Sequence, residues 1–302
     1  MKPASFAYVR PATVEDTLAE LEHEGAKVLA GGQSLVPVLA MRLGRPSTLV
    51  DLGAVPELKE LDLDGGHLRV GAMVRQRQVQ HDPAAQSVPL LRLALPWVGH
   101  REIRSRGTVC GSLAHSDPSA ELPAVATCLD ATMTLRSSRG SRDVGASEFF
   151  AGAMTTVMEP DELLTAVRFP VAEAGEGFGF GEVARRHGDF ALAGVAARVK
   201  AVAEHVEASI TCFGVSDRPA KADVSAELES ALQQVGRTPS ESDLRRALAE
   251  SAEEVAARVV DTVGDAHASQ AYRRQLTAGL LSREISRAYL KSVNPRHEVS
   301  SA

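Results

Sequence analysis

AKVLAGGQSLVPVLAMRLGRPSTLVDLG, residues 26–53, is the stretch on which the fold class turns. AKVL is a short apolar run that closes on two glycines, the pattern of a buried strand feeding a tight turn. QSLVPVLAMRLG follows with apolar residues at helical spacing. Pro37 fits such a helix only in its first turn, where a missing N–H leaves no bond unmade. STLVDLG is a second apolar run, so the segment reads as strand, glycine loop, helix, strand. Upstream, SFAYVRPAT is extended as far as Pro11. TVEDTLAELEHEG reads as a helix capped by Thr13, with Asp16 three residues on, Leu18 and Leu21 sharing a face and Gly25 at its end. The opening of the chain thus alternates strand and helix, an α/β pattern.

Downstream, LKELDLDGGHLRVGAMV reads as a hairpin turning at Asp64, Gly65 and Gly66. VPLLRLALPWV is helical. GTVCGSLAHSDPSAELP, residues 107–123, is too polar for a core strand and too punctuated by glycine for a helix before its last residues. It reads as a loop leading into the helix SAELPAVATCLDA. TMTLRSS, SRDVGASEFF and DELLTAVRFPV read as strands. AEAGEGFGFGE is a shift in composition; it reads as a flexible lead-in to a strand and places a domain boundary near residue 175. Beyond it, FALAGVAARVKAV and HVEASITCFGVSD form a pair of adjacent antiparallel strands. Three helices follow: SAELESALQQV, SESDLRRALAESAEEVAARV and ASQAYRRQLTAGLLSREISRAYLKSV. The tail NPRHEVSSA is expected to fray. The C-terminal part is therefore α+β.

The composition excludes several classes of function. The chain has 302 residues, 33 Lys and Arg against 39 Asp and Glu, and a formal net charge of −6, with no concentrated basic tract. Nucleic acid is not expected as a partner. The three cysteines, Cys110, Cys128 and Cys212, are widely spaced, which suggests neither a disulfide framework nor a zinc or iron–sulfur site. The N-terminus lacks an apolar signal core, and no run of about 18 apolar residues occurs, so a cytoplasmic protein without a transmembrane segment is expected.

Two glycine-bearing segments carry the chemistry. VLAGGQSL, residues 28–35, follows a strand and precedes a helix; its glycines let a ligand approach the backbone, and free N–H groups at a helix start favour a phosphate. GTVCGSLAHSD also precedes a helix and offers hydroxyls at Thr108, Ser112 and Ser116. Together they suit a pyrophosphate held from two sides. Other motifs fail. There is no G-x-x-x-x-G-K-[ST] and no G-x-S-x-G or H-E-x-x-H. The glycines at 175, 177, 179 and 181 do not meet G-x-G-x-x-G, and the adjacent His115, Ser116 and Asp117 do not make a hydrolase triad, which is assembled from distant parts of a chain.

AGGQSLVPVLAMRLGRPSTLVDLGAVPEL and RGTVCGSLAHSDPSAELPA together resemble the FAD-binding medium subunit of molybdenum hydroxylases, the carbon monoxide dehydrogenase and xanthine dehydrogenase family. FAYVRPATVEDTLAEL, DELLTAVRFP, RRHGDFALAGVAA and ASQAYRRQL match as well, in the same order, so the resemblance covers nearly the whole chain. It implies an α+β chain with α/β subdomains: a vanillyl-alcohol oxidase-type, or PCMH-type, FAD-binding domain over residues 1–175, with subdomains at about 1–57 and 58–175. A small C-terminal domain over 176–292, a three-stranded antiparallel sheet with helices, and a tail over 293–302 follow. It implies that Ala30, Gly31, Gly32, Gln33 and Ser34 wrap the FAD pyrophosphate, flanked by Val28, Leu29 and Leu35. Thr108, Val109, Cys110, Gly111 and Ser112 are implied to meet phosphate and ribityl groups, Glu121 the ribityl chain, and Leu164 the flavin ring. No residue is implied as catalytic or as a metal ligand.

Two positions depart from the family pattern. Cys110 stands where the second segment usually has glycine, which would be strained only if that position needs positive φ; the thiol is a candidate for reactivity near the cofactor. The lysine that xanthine dehydrogenases place near the flavin falls on Gly181. The resemblance also implies partners: a large subunit with a molybdopterin cofactor, where substrate is oxidised, and a small subunit with [2Fe–2S] clusters. They form a heterotrimer with this chain, able to dimerise. This chain would pass electrons from the clusters through FAD to an external acceptor. A free-standing FAD-dependent oxidase or reductase of the same fold is the alternative, and a flavin-free scaffold subunit a second.

Overall fold

The computed structural model describes residues 2–202 and 205–294. Its opening follows the alternation read from the sequence: β1 (Ala7–Val9), α1 (Val14–Leu21), β2 (Ala26–Leu29), α2 (Leu35–Ala40) and β3 (Thr48–Asp51). The strands form a parallel sheet in the order β1-β3-β2. α1 begins where its cap predicts, because the Thr13 hydroxyl accepts the Asp16 N–H at 3.0 Å and satisfies one of the donors that a helix start leaves open. Val14, Leu18 and Leu21 are the face it buries.

β4 (Leu61–Asp64) and β5 (His67–Gly71) are joined by Gly65 and Gly66, at φ +54 and +79, the two left-handed positions of a type I′ turn. Five short helices follow: α3 (Gln76–His81), α4 (Pro89–Ala94), α5 (Arg101–Arg106), α6 (Val109–His115) and α7 (Glu121–Cys128). Then come β6 (Thr132–Ser137), β7 (Gly140–Gly145), α8 (Ala146–Phe149), the small ribbon of β8 (Phe150–Gly152) and β9 (Thr155–Thr156), and β10 (Leu163–Pro170). SRDVGASEFF, expected as one strand, is thus divided. The strand ends at Gly145, and the Ala146 N–H turns to the Ala131 carbonyl at 2.8 Å to start a helical turn. An antiparallel sheet runs β4-β5-β10-β6-β7. β10 is its middle strand and is buried over most of its length, which is why DELLTAVRFPV reads as a near-continuous apolar run.

The C-terminal elements are β11 (Glu176–Val183), β12 (Ala193–Val202), β13 (His205–Phe213), β14 (Ala220–Asp223), α9 (Ser225–Val235), α10 (Glu241–Ala247), α11 (Ala249–Val259) and α12 (Gln270–Val293). The sheet is an antiparallel four-strand meander, where three strands were expected. The additional one, β14, is the four-residue AKAD, in which half-buried alanines alternate with exposed Lys221 and Asp223, a short charged edge too small to stand out in sequence. SESDLRRALAESAEEVAARV is two helices rather than one. Leu248, at ψ −6, redirects the chain so that Ala252, Val255 and Ala256 join the core.

The expected flexible lead-in is itself β11, and its glycines have a packing cause. A Cβ at Gly177 would fall on the Ala288 carbonyl oxygen, and one at Gly179 on that of Glu284. Glycine at every second position bares one face of the strand to the backbone of α12. Phe178, Phe180 and Glu182 alternate onto the opposite face, and all three are buried.

By contacts the described chain falls into two compact units. The first comprises Met1–Ser87, Val98–Ser116 and Asp130–Val171; the second comprises Val88–Trp97, Asp117–Leu129 and the chain from Ala172 onward. The fraying expected of NPRHEVSSA concerns residues that, beyond Asn294, lie outside the described ones.

Candidate functional site

Both glycine-bearing segments belong to the first unit and cross within it. Gly31 marks the crossing: a Cβ there would overlap the Arg106 carbonyl oxygen and stand 2.8 Å from the Gly107 Cα, so only glycine lets the two backbones pass. Gly32 adopts φ +75, a left-handed conformation. The Gln33 amide donates to the Gly31 carbonyl at 3.3 Å and folds the loop on itself. Val36 N–H then bonds to Gly32 O at 3.0 Å as α2 begins. The N–H groups between, from Gly31 to Leu35, have no acceptor among the described residues. Five consecutive unspent donors on a glycine turn suit an anion, which is the chemistry that a dinucleotide pyrophosphate requires. Val28, Leu29 and Leu35 flank it, each half-buried.

The second segment is not the loop expected. Thr108 is an N-cap whose hydroxyl accepts the Gly111 N–H at 3.0 Å, and helix α6 starts at Val109. Gly111 fits beneath this cap, since a Cβ there would sit 2.7 Å from Thr108 Oγ1. The same Cβ would lie 3.8 Å from that of Ala30, so Gly111 also faces the first segment. Val109 N–H is taken by Val74 O at 3.3 Å, whereas Cys110 N–H has no acceptor among the described residues. Of the three hydroxyls, Thr108 serves the cap, and buried Ser116 turns to the carbonyls of Gly152 and Thr155 at 3.2 and 3.3 Å. Ser112 alone is left for a ligand.

Cys110 resolves simply. It lies in right-handed helical backbone rather than at positive φ, so its replacement of glycine brings no strain. Its thiol is buried and donates to Val70 O at 3.4 Å, and burial pushes it up to about 12. A thiol held neutral in this way is inert at physiological pH, so no reactivity near a cofactor follows from it.

Leu164 lies in the first unit, buried on β10 and paired with Leu135. A bulge at Thr165 separates it from Ala166, which pairs with Gly71 of β5, the strand on which Cys110 rests. Glu121 belongs to the second unit, buried in the first turn of α7. The structure does not aim Gly181 at the Glu121 side. That residue faces α12, where a Cβ would meet the Arg283 guanidinium and lie 2.6 Å from Glu284 Oε1. The residue that shares a site with Glu121 is its neighbour Glu182, buried and repelled by the Glu121 charge. Motif and resemblance pass over Glu182. The signal that marks it is an acid in phase with Phe178 and Phe180 on an alternating strand. Among the described residues, no group of three or more His, Cys, Asp or Glu is arranged to hold a metal ion.

Residues 4–172 match the family model described as the FAD binding domain in molybdopterin dehydrogenase, and residues 179–288 that of the CO dehydrogenase flavoprotein C-terminal domain. The chain is 36% identical to the nicotine 6-hydroxylase medium subunit of Paenarthrobacter nicotinovorans, over 94% of this chain and 98% of that one. It is 34% identical to the carbon monoxide dehydrogenase medium chain of Afipia carboxidovorans, over 97% and 100%. Its fold superposes on the crystal structure of quinoline 2-oxidoreductase from Pseudomonas putida 86 with a TM-score of 0.86 at 36% identity, covering 97% of this chain and 99% of that one.

Proposed function

The chain belongs to the family of FAD-binding medium subunits of molybdenum hydroxylases, and on that premise we propose that it takes electrons from the [2Fe–2S] clusters of a small partner subunit and delivers them to an external acceptor. It is an oxidoreductase subunit, with substrate oxidation assigned to a large partner that carries the molybdopterin cofactor. The observation that carries the reading is the run of five unspent N–H groups, Gly31 to Leu35, at the place where the second segment crosses the first. When bound, FAD supplies a junction between one-electron centres and a two-electron acceptor.

The chain's own residues have positional tasks. Ala30, Gly31, Gly32, Gln33 and Ser34 are assigned to the pyrophosphate, with Val28, Leu29 and Leu35 excluding water around it. Thr108, Val109, Cys110, Gly111 and Ser112 form the second wall, where the Cys110 N–H and the Ser112 hydroxyl are the available donors. Glu121 is assigned to the ribityl chain and Leu164 to the flavin ring. We place the FAD-binding domain at 1–175 and the C-terminal domain at 176–292, and the protein in the cytoplasm. Among the described residues no helix is long and apolar enough to cross a membrane. The relatives that match nearly end to end are medium subunits, which favours the complex over a free-standing oxidase. Cys110 stands in helical backbone, so its replacement of the family's glycine gives no support to a flavin-free scaffold.

The test is the absorption spectrum of the complex co-expressed with its partners, with the released cofactor identified by chromatography. One FAD per copy of this chain is expected. A complex that assembles without FAD would overturn the assignment.

A further inference from the structure

A segment that neither glycine motif includes lies against their crossing, wholly within the first unit. Val74, Arg75 and Gln76 run antiparallel to Gly107, Thr108 and Val109. Gln76 N–H donates to the Gly107 carbonyl at 2.9 Å, Val109 N–H donates to the Val74 carbonyl at 3.3 Å, and Arg75 pairs with Thr108 between them. Gln76 opens α3 and is 4% exposed. Its Nε2 donates to the Thr108 carbonyl at 3.4 Å, an acceptor it shares with Ser112 N–H at 3.2 Å. The residue thus holds two consecutive carbonyls of the second segment, one through its backbone and one through its amide. A carbonyl only accepts, so the amide nitrogen has to face Thr108, and Oε1 is turned away from it. Oε1 has no donor among the described residues. It stands 3.0 Å from where a Cβ on Gly107 would lie, and the Gly107 Cα in turn stands 2.8 Å from where one on Gly31 would lie. First segment, second segment and Gln76 amide are therefore in successive contact, with glycine at both joints.

Methionine or leucine would fill such a place without leaving a buried oxygen unpaired. A glutamine is explained by what its amide does for the backbone it holds. Thr108 is the N-cap of α6, and its carbonyl takes the first bond of that helix. Fixing the carbonyls of 107 and 108 therefore fixes the first turn of α6, where the Cys110 N–H and the Ser112 hydroxyl stand free for a ligand. We propose, resting on the flavin reading above, that Gln76 is a positioning residue of the FAD site. It sets the second segment where both segments meet one FAD, and it acts through Thr108 and α6 rather than on the cofactor itself.

The assembled complex, stripped of FAD, is titrated with FAD at about pH 8 and followed by flavin fluorescence. The bound flavin is then measured at saturation by visible circular dichroism, and the complex by urea denaturation. Q76M keeps the bulk of the side chain and cannot donate. Its Kd is expected to rise about tenfold, with an altered flavin dichroism. Q76N, whose amide falls one methylene short of Thr108, carries the same expectation and serves where Q76M does not assemble. Q76H restores a donor, since a neutral histidine presents a ring N–H at the reach of the glutamine Nε2. It is expected to bind within about threefold of wild type, with the wild-type dichroism. A residue that served stability alone would lower the urea midpoint and leave Kd and dichroism unchanged, so that result in Q76M or Q76N overturns the inference. Q76H binding as weakly as Q76M overturns it too, because the donor would then not be what matters. A wild-type complex that binds no FAD sinks the flavin reading, and this inference with it, and is distinct from both.

Discussion

Glu182 has a consequence for stability that needs no cofactor. Its folded value of about 8 lies above the ordinary 4.5 that the unfolded chain shows. Between those limits the unfolded chain has released the proton and the folded chain has kept it. The stability the group contributes is therefore complete below the lower value and is lost as pH rises through the window, by about 1.4 kcal/mol per pH unit. E182Q carries no such proton. The expected result is that E182Q gains on wild type steadily between about pH 5 and about pH 8 in urea denaturation of the FAD-free chain, and no further above. A constant difference across that range would mean that the buried carboxyl titrates normally. Cys110 gives a milder case. Because it occupies a helix and buries its thiol, Cys110→Gly is expected to cost about 1–2 kcal/mol of stability through lost packing and backbone freedom, while Cys110→Ala costs less. Both should bind FAD as wild type does when the FAD-free complex is titrated with FAD and followed by flavin fluorescence. The roles of these two residues were legible to different degrees. The departure at Cys110 was visible in the sequence, but its harmlessness depended on φ, which spacing does not reveal. Glu182 gave only its phase with two phenylalanines, and its isolation is a property of what α7, α12 and β12 leave around it.

Elements with local causes were legible, and those with remote causes were not. Thr13 and Asp16 announce α1 because a cap acts within four residues, and Gly65-Gly66 announce their hairpin because the turn needs two left-handed positions. β11 failed for the opposite reason. Its glycines lower strand propensity locally, and only α12, about a hundred residues later in sequence, explains them. This separates two substitutions. At Gly179 a new methyl group meets the backbone of α12 at Glu284, which cannot yield without moving the helix, and Gly179→Ala is expected to destabilise by roughly 1–3 kcal/mol. At Gly181 it meets the ends of the Arg283 and Glu284 side chains, which can swing, and Gly181→Ala is expected to cost less. Urea midpoints of the two variants order them; a reversed order would mean that α12 does not hold its position on β11. The two glycine segments follow the same logic. That both approach a ligand was legible from their position before helices, but the capped helix at Thr108 and the crossing at Gly31 were not. Gly31→Ala drives a methyl group into the Arg106 carbonyl and parts the segments, so FAD affinity is expected to fall at least about tenfold, with the near-ultraviolet circular dichroism of the chain otherwise retained.

Over the whole molecule, the order of motifs carried the family, whereas the grouping of segments did not follow their order. Val88–Trp97 and Asp117–Leu129 lie in sequence within the stretch that matches the FAD-binding domain, yet their contacts group them with the C-terminal elements. A linear reading assigns a helix to its sequence neighbours; α7 instead packs by its apolar faces, buried along its whole length. The inventory of thiols makes the last prediction. A [2Fe–2S] cluster of the common kind takes four thiolates, and this chain has three cysteines. All three are buried thiols outside any disulfide, and burial pushes Cys110 and Cys212 up to about 12, far from the thiolate form that binds iron. The chain expressed without partners and reconstituted with FAD is therefore expected to show a flavin spectrum with no iron by elemental analysis. The iron of the assembled complex should depart with its small subunit when the subunits are separated. Iron that remained with this chain through such a separation, in proportion to its FAD, would place an electron-transfer centre here and would contradict the division of tasks among the subunits.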